Sequence, residues 1–258
     1  LADTDPSATN PVGIWIGNEL RWITADVSFT NNAGSNSLNM GSSELATKEV
    51  DLFVYAFWRS SDSTVRILVS RIPYGKLGSD FGTSSQEKGR LSLVGQGSTD
   101  EVVNVGRFAA TLSASPSYNW SVPSFTNANL IQEPVYETRV LNYQPVYSAA
   151  GSMTYTSVST LKAIYQIRDR TFYVDISAQG TTGGSADPQI LASLPISLAS
   201  ASNGRYAFAG GGYDNAAVTC VLSNTGGTNM RFIKNLDTNW GLGTNKIIYG
   251  SGTAPIIE

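Results

Sequence analysis

The chain of 258 residues contains no histidine, and Cys220 is its only cysteine. Without imidazole, Ser-His-Asp and Cys-His nucleophile machinery, His-ligated zinc and histidine acid–base chemistry are all excluded. A lone cysteine permits no intrachain disulfide, and its setting in "AAVTCVLS" reads as a small apolar residue inside a strand. Charge is scarce as well: 14% of residues are charged, the formal net charge is −3, and no basic cluster offers nucleic acid the electrostatic footprint it needs. No apolar run approaches the roughly 18 to 20 residues of a membrane span, and the N-terminus has neither the basic nor the apolar region of a secretion signal. Beginning at Leu1, the chain reads as processed or as a piece of a longer one. P-loop, dinucleotide and EF-hand patterns are missing; "AGGGYDN" has glycines without a strand-to-helix context, so Gly210 to Gly212 read as a turn. We therefore expect no cofactor, no metal site and no enzymatic activity.

What is present is strand sequence. "IWIGNELRWITADVSFT" sets Ile14, Ile16, Leu20, Trp22, Ala25, Val27 and Phe29 in broken alternation around "GNE", a hairpin whose apolar residues, Trp22 included, are expected in a core. "DLFVYAFWRSSDSTVRILVSRIP" has an unbroken apolar run from Leu52 to Trp58. Such a strand must be covered on both faces, by two sheets or by a neighbouring chain, and Trp58 is expected in a core. "SPSYNWSVPSF" is confined by Pro116 and Pro123 to a sheet edge or connector, and its Asn119–Ser121 forms a glycosylation sequon. "NANLIQEPVYETRVLNYQPVYSAAGSM" reads as an extended linker. In "YQIRDRTFYVDISAQGTTGG", Tyr165, Ile167, Phe172, Val174 and Ile176 fall on one face of a hairpin. Gln166, Arg168, Thr171, Tyr173 and Asp175 fall on the other, "RDR" forms the turn, and "GTTGG" is expected to turn the chain again. Only "SSELATKEV" has a helical cast. Short strands divided by Gly, Asn and Pro predict an all-β protein of two consecutive antiparallel β-sandwich, jelly-roll-like domains, residues 1–128 and 129–258.

Among chemistries that need no histidine, glycoside hydrolysis requires two convergent carboxylates. Neither Glu133 with Glu137 nor Asp100 with Glu101 has a spacing that predicts convergence, and solvated surface charge accounts for both pairs. A polysaccharide depolymerase built on a β-helix would show a short fixed repeat, which is absent. Sugar binding needs less: an exposed aromatic to stack on the ring, and Asn, Asp, Gln or Arg to bond its hydroxyls. Trp240, in the polar and glycine-rich "LDTNWGLGTN", and Tyr206 and Tyr213, flanking the "GGG", are the candidates. Asp214 and Asn239 are their polar neighbours.

Three stretches, "DLFVYAFWRS…VRILVSRIPYGKLGSDF", "STDEVVNVGRF…YNWSVP" and "ETRVLNYQPVYSAAGSMTYTSVSTLKAIYQIRDRTFYVDISAQGTTGGSADPQILASLPISL", resemble modules of tailed-bacteriophage virion proteins, especially tail fibres and other surface appendages. The resemblance runs from about Asp51 to Leu198 and carries no catalytic residues. It implies a virion structural protein at the particle surface, a homotrimer contacting other virion proteins and attaching to a host-surface glycan or receptor. Head decoration or tail assembly without a receptor is the alternative, and a depolymerase a more remote one.

Overall fold

The structure, a computed structural model, describes residues 5–28, 47–81, 90–91, 97–111, 121–128, 136–198, 206–224, 227–235 and 238–256. Over these residues the protein is all-β and antiparallel, with one short 3-10 turn at Gly78–Phe81. The chain divides into two compact units, residues 1–40 with 49–137, and residues 41–48 with 138–258. Most of "SSELATKEV", the sequon residue Asn119 and Glu133 lie outside the described residues.

In the first unit, β1 (Val12–Ile16) and β2 (Glu19–Ile23) form a hairpin. Beneath it lies a five-stranded sheet in the order β5 (Arg90–Leu91), β4 (Thr64–Ser70), β3 (Glu49–Arg59), β6 (Val102–Thr111), β7 (Phe125–Ala128). The apolar run of β3 is the middle strand, buried on both faces as expected. Its coverings come from its own unit. On one face Ile16 packs with Ala56 and Val65, joined by Ile14, Ile23 and Trp58. On the other, the Phe81 ring lies 4.6 Å from that of Tyr55, whose hydroxyl donates to the Ile72 carbonyl at 2.8 Å. Burial pushes the Tyr55 phenol well above its ordinary pKa, so this buried donor keeps its proton.

The expected placement of Trp22 in the core is corrected by the register. Gly17, at φ +59°, and Asn18 form a two-residue turn that pairs Ile16 with Glu19, Ile14 with Arg21 and Gly13 with Trp22. Residues paired across antiparallel strands share a face. The inward even positions of β1 therefore meet odd positions of β2, and a two-residue turn fixes this parity. Ile23 and Arg21 point inward, the Arg21 guanidinium sitting 4.1 Å over the Trp58 ring. Leu20 and Trp22 point out with Trp15.

The second unit is one nine-stranded sheet, in the order β8 (Leu141–Asn142), β10 (Met153–Arg168), β11 (Thr171–Gly184), β16 (Gly243–Pro255), β13 (Tyr206–Tyr213), β14 (Ala217–Asn224), β15 (Gly227–Lys234), β12 (Gln189–Leu198), β9 (Tyr147–Ala149). Strands 13, 14 and 15 meander, with β16 beside β13 and β12 beside β15, which makes two overlapping Greek keys. The short strands β8 and β9 belong to one segment of the expected linker, yet they pair with β10 and β12, so the sheet curls and its inner face closes on a core. Along β11 the even positions from Phe172 to Thr182 are all buried, the period of two that a one-sided strand requires.

The β10–β11 hairpin follows its sequence pattern. Tyr165, Ile167, Phe172, Val174 and Ile176 are buried, and Arg168 pairs with Thr171 across a two-residue turn in which Asp169 takes φ +52°. Cys220 is buried in β14. Two glycine readings are corrected. "GTTGG" continues β11 to Gly184, because Gly180 leaves room for the Tyr155 ring: a Cβ there would sit 2.7 Å from it. Gly210 to Gly212 are interior residues of β13, paired with both β14 and β16. A Cβ on Gly211 would meet the Tyr249 hydroxyl at 2.6 Å, and one on Gly212 the Trp240 ring at 2.8 Å. These glycines mark close approach of a ring to the strand.

Candidate functional site

Three of the five residues expected to bind a ligand, Asp214, Asn239 and Trp240, come together at one carboxylate in the second unit, that of Asp214 itself. Asp214 follows β13 in the turn to β14, its N–H donating to the Ala216 carbonyl at 2.9 Å. Asp214 Oδ2 accepts from Lys234 Nζ at 2.5 Å and from the Gly241 N–H at 2.8 Å; Oδ1 accepts from Lys246 Nζ at 2.6 Å. Lys234 Nζ also donates to the Asn239 carbonyl, and Lys246 Nζ to Asn215 Oδ1. Burial alone would raise the Asp214 pKa, but the Gly241 N–H and the two lysines outweigh it and hold the carboxyl at about 2. The Lys246 side chain is 1% exposed and that of Asp214 3%, so this is a buried pair whose charges satisfy one another.

Trp240 is fully buried. Its indole N–H donates to the Pro188 carbonyl at 3.1 Å and its backbone N–H to that of Asp187 at 3.0 Å, while its ring rests on Gly212. It therefore has no free face for a sugar, which corrects its expected role. The polar and glycine neighbours that made it look like a loop aromatic instead let the loop fold over it. Asn239 and Tyr213 are exposed, and Tyr206 lies in β13. Asp214, Asn239 and Trp240 together tie the loop before β16 to the sheet.

The exposed platform lies in the first unit. Trp15 is 63% exposed and Trp22 55%, side by side with Leu20 on the outer face of the β1–β2 hairpin. A Cβ on Gly13 would lie 3.1 Å from the Trp22 ring, so the indole is seated over the strand opposite. Next to it, the segment Ile23–Ser28 and the turn Ser63–Arg66 enclose a cleft of about 230 Å³. Its lining includes Thr24, Asp26, Ser28 and Arg66. The guanidinium of Arg66 is held in place: Nη2 donates to Asp62 at 2.8 Å and Nε to Thr64 Oγ1 at 3.1 Å, while Thr64 Oγ1 donates to Asp62 at 2.7 Å. Hydrogen bonds from Arg59 first, then Arg66 and Thr64, pull the Asp62 carboxyl far below the usual range. Asp62 is thus a fixed anion and no proton donor, and among the described residues Asp26 is the one carboxylate in the lining. The alternation pattern concealed this surface, which becomes visible once the turn is placed at Gly17–Asn18 and the parity of β2 is counted from it.

Among the described residues no three or more His, Cys, Asp or Glu side chains gather as a metal site would, and no helix is long and apolar enough to cross a membrane. No protein-family model, known protein or solved structure matches this chain.

Proposed function

We propose that the chain is a structural protein of a bacteriophage virion, a fibre or appendage component that attaches to a host-surface glycan through the outer face of the β1–β2 hairpin and performs no catalysis. The observation that carries the attachment is the pair of exposed tryptophans, Trp15 and Trp22. Two indoles side by side on a rigid hairpin leave a large apolar area in water, a cost that a solitary monomer would avoid and a contact surface uses. The virion setting rests on the resemblance of the strand modules. A sparsely charged, Ser/Thr/Asn-rich sequence without disulfides suits a particle component.

The test is attachment of the purified chain to host cells and to their extracted surface polysaccharide. Trp15→Ala and Trp22→Ala should each reduce attachment while leaving the fold intact; wild-type attachment by both variants would remove the hairpin from the reading. A second reading, decoration or assembly through self-association as a homotrimer, is favoured by the outer face of β10, β11 and β16. There Tyr173 and the neighbouring Val140 border an open groove of about 330 Å³, and Tyr249 is 48% exposed. The solution mass by light scattering tests it: a trimer that Tyr173→Ser dissolves would support this interface, and a wild-type monomer would count against it.

A further inference from the structure

The cleft beside Trp22 has more chemical definition than a surface for general adhesion needs. We infer that it is a binding site for one neutral pyranose residue, stacked on the Trp22 indole and hydrogen-bonded by Asp26 and Arg66. The inference rests on the glycan-attachment reading of the hairpin and specifies what part of a glycan is read there.

Three observations lead to it. The first is the partner set. A pyranose offers an apolar C–H face and hydroxyls that both donate and accept, so its site needs an aromatic face, an acceptor and a donor held at fixed positions. Trp22 supplies the face. The Asp26 carboxylate has no hydrogen-bond partner among the described residues and accepts from hydroxyls. Arg66 spends Nε on Thr64 and Nη2 on Asp62, which leaves the N–H groups of Nη1 to donate outward. Thr64 is a positioning residue, since its hydroxyl is occupied by Asp62 on one side and Arg66 on the other.

The second observation is preorganisation. The Asp62 fan fixes the Arg66 guanidinium before any ligand arrives, and Gly13 seats the Trp22 ring, so little conformational freedom remains to be lost on binding. The third is charge. Asp62 is shared by Arg59 and Arg66 and balances one of these two charges; Asp26 offsets the other, which leaves no net charge around the cleft. A uronate or sialate would bring a second carboxylate beside Asp26 into a cleft with no net positive charge to receive it, whereas a neutral ring meets no such repulsion. The volume, about 230 Å³, lies below the roughly 300–1,000 Å³ of sites for drug-sized ligands. It admits a single ring, with the rest of the glycan running outward over Trp15.

The experiment is NMR titration of the whole chain, labelled with ¹⁵N, using glucose, galactose, mannose and N-acetylglucosamine in turn, with glucuronate as the charged control. At least one neutral sugar should shift the Trp22 indole signal and the amides of residues 24–28 and 63–66, saturating near ~10 mM, an ordinary affinity for a contact of this size. Asp26→Asn and Trp22→Ala should each weaken that binding by about tenfold. Val122→Ala, at an exposed residue of the same unit outside the cleft, should leave it within about twofold, and an unchanged spectrum outside the cleft shows that each variant is folded. Absence of shifts with every neutral sugar, glucuronate binding as tightly as the neutral sugars, or equal effects of Val122→Ala and Trp22→Ala would overturn the inference. Cell attachment that is lost in Trp15→Ala but kept in Asp26→Asn and Trp22→Ala would overturn the cleft and leave attachment standing. Sugar binding without attachment to any cell surface would do the reverse.

Discussion

Replacing Asp214 with asparagine tests whether the buried carboxylate holds the second unit together. The substitution keeps shape and hydrogen-bonding capacity but leaves Lys246, 1% exposed, and Lys234 without their counter-charge. Removing one partner of a buried pair costs about 3 to 5 kcal/mol. Asp214 accepts three donors and Lys234 keeps some solvent, so the lower figure, about 3 kcal/mol, applies at pH 7. Part of this depends on protons. A carboxyl held at about 2 in the folded chain, against an ordinary 3.8, carries about 2 kcal/mol. Because the folded value is the lower one, that contribution is complete above about pH 4 and vanishes as pH falls towards 2.

The assay is urea unfolding of wild type and Asp214→Asn at several pH values, followed by the indole NMR signal of Trp240, which reports on this unit through its bond to Pro188. Other carboxylates titrate in the same window, so the difference between the two proteins isolates this one. The gap should be about 3 kcal/mol at neutral pH and shrink by about 2 kcal/mol near pH 2. A gap below about 0.5 kcal/mol at neutral pH, the size of an ordinary surface substitution, or one that is constant with pH, would refute the reasoning.

Other expectations are briefer. Gly212→Ala pushes a methyl group against the Ile247 carbonyl at 2.5 Å and the Trp240 ring at 2.8 Å; calorimetry should show a loss of about 1 to 3 kcal/mol, and an unchanged melting temperature would mean that Trp240 does not rest there. Burial lifts the Cys220 thiol to about 11, with Lys234 pulling weakly the other way. A thiol reagent at pH 8 should therefore react at least about a hundredfold more slowly than with the unfolded chain; fast labelling of the folded protein would contradict the burial. Asp169→Val puts a branched side chain at φ +52° and should destabilise the β10–β11 hairpin by about 1 to 2 kcal/mol, read by amide exchange; protection equal to wild type would show that the turn tolerates it.

How legible the fold was depended on whether one strand sufficed to determine a feature. The β10–β11 hairpin could be read residue by residue because its two faces differ sharply in polarity and "RDR" leaves a single register. β3 could be read as doubly covered from its unbroken apolar run, but what covers it comes from Ile16 and Phe81, distant in sequence. Trp22 and Trp240 were exchanged in role for one reason: exposure depends on the partner across the strand pair, and local polarity does not report it. The residues around Trp240 are polar because Asp214 holds Lys234 and Lys246 by ion pairs in the interior, and those around Trp22 are apolar because Ile14 and Ile16 serve the opposite face. The cleft was hidden more deeply, since its two sides, at residues 23–28 and 63–66, meet only in the folded unit.

The position of β16 bears on how the second unit is made. Last of the unit's described strands in chain order, it lies between β11 and β13, pairing with β11 from Gly243 to Pro255 and with β13 from Ile247 to Ser251. Until residue 255 has left the ribosome, both of those strands lack a neighbour on one side, so the sheet of this unit closes only after β16 has emerged. A chain stopped short of Gly243 would keep two long bare edges, which invite pairing with other unfinished copies.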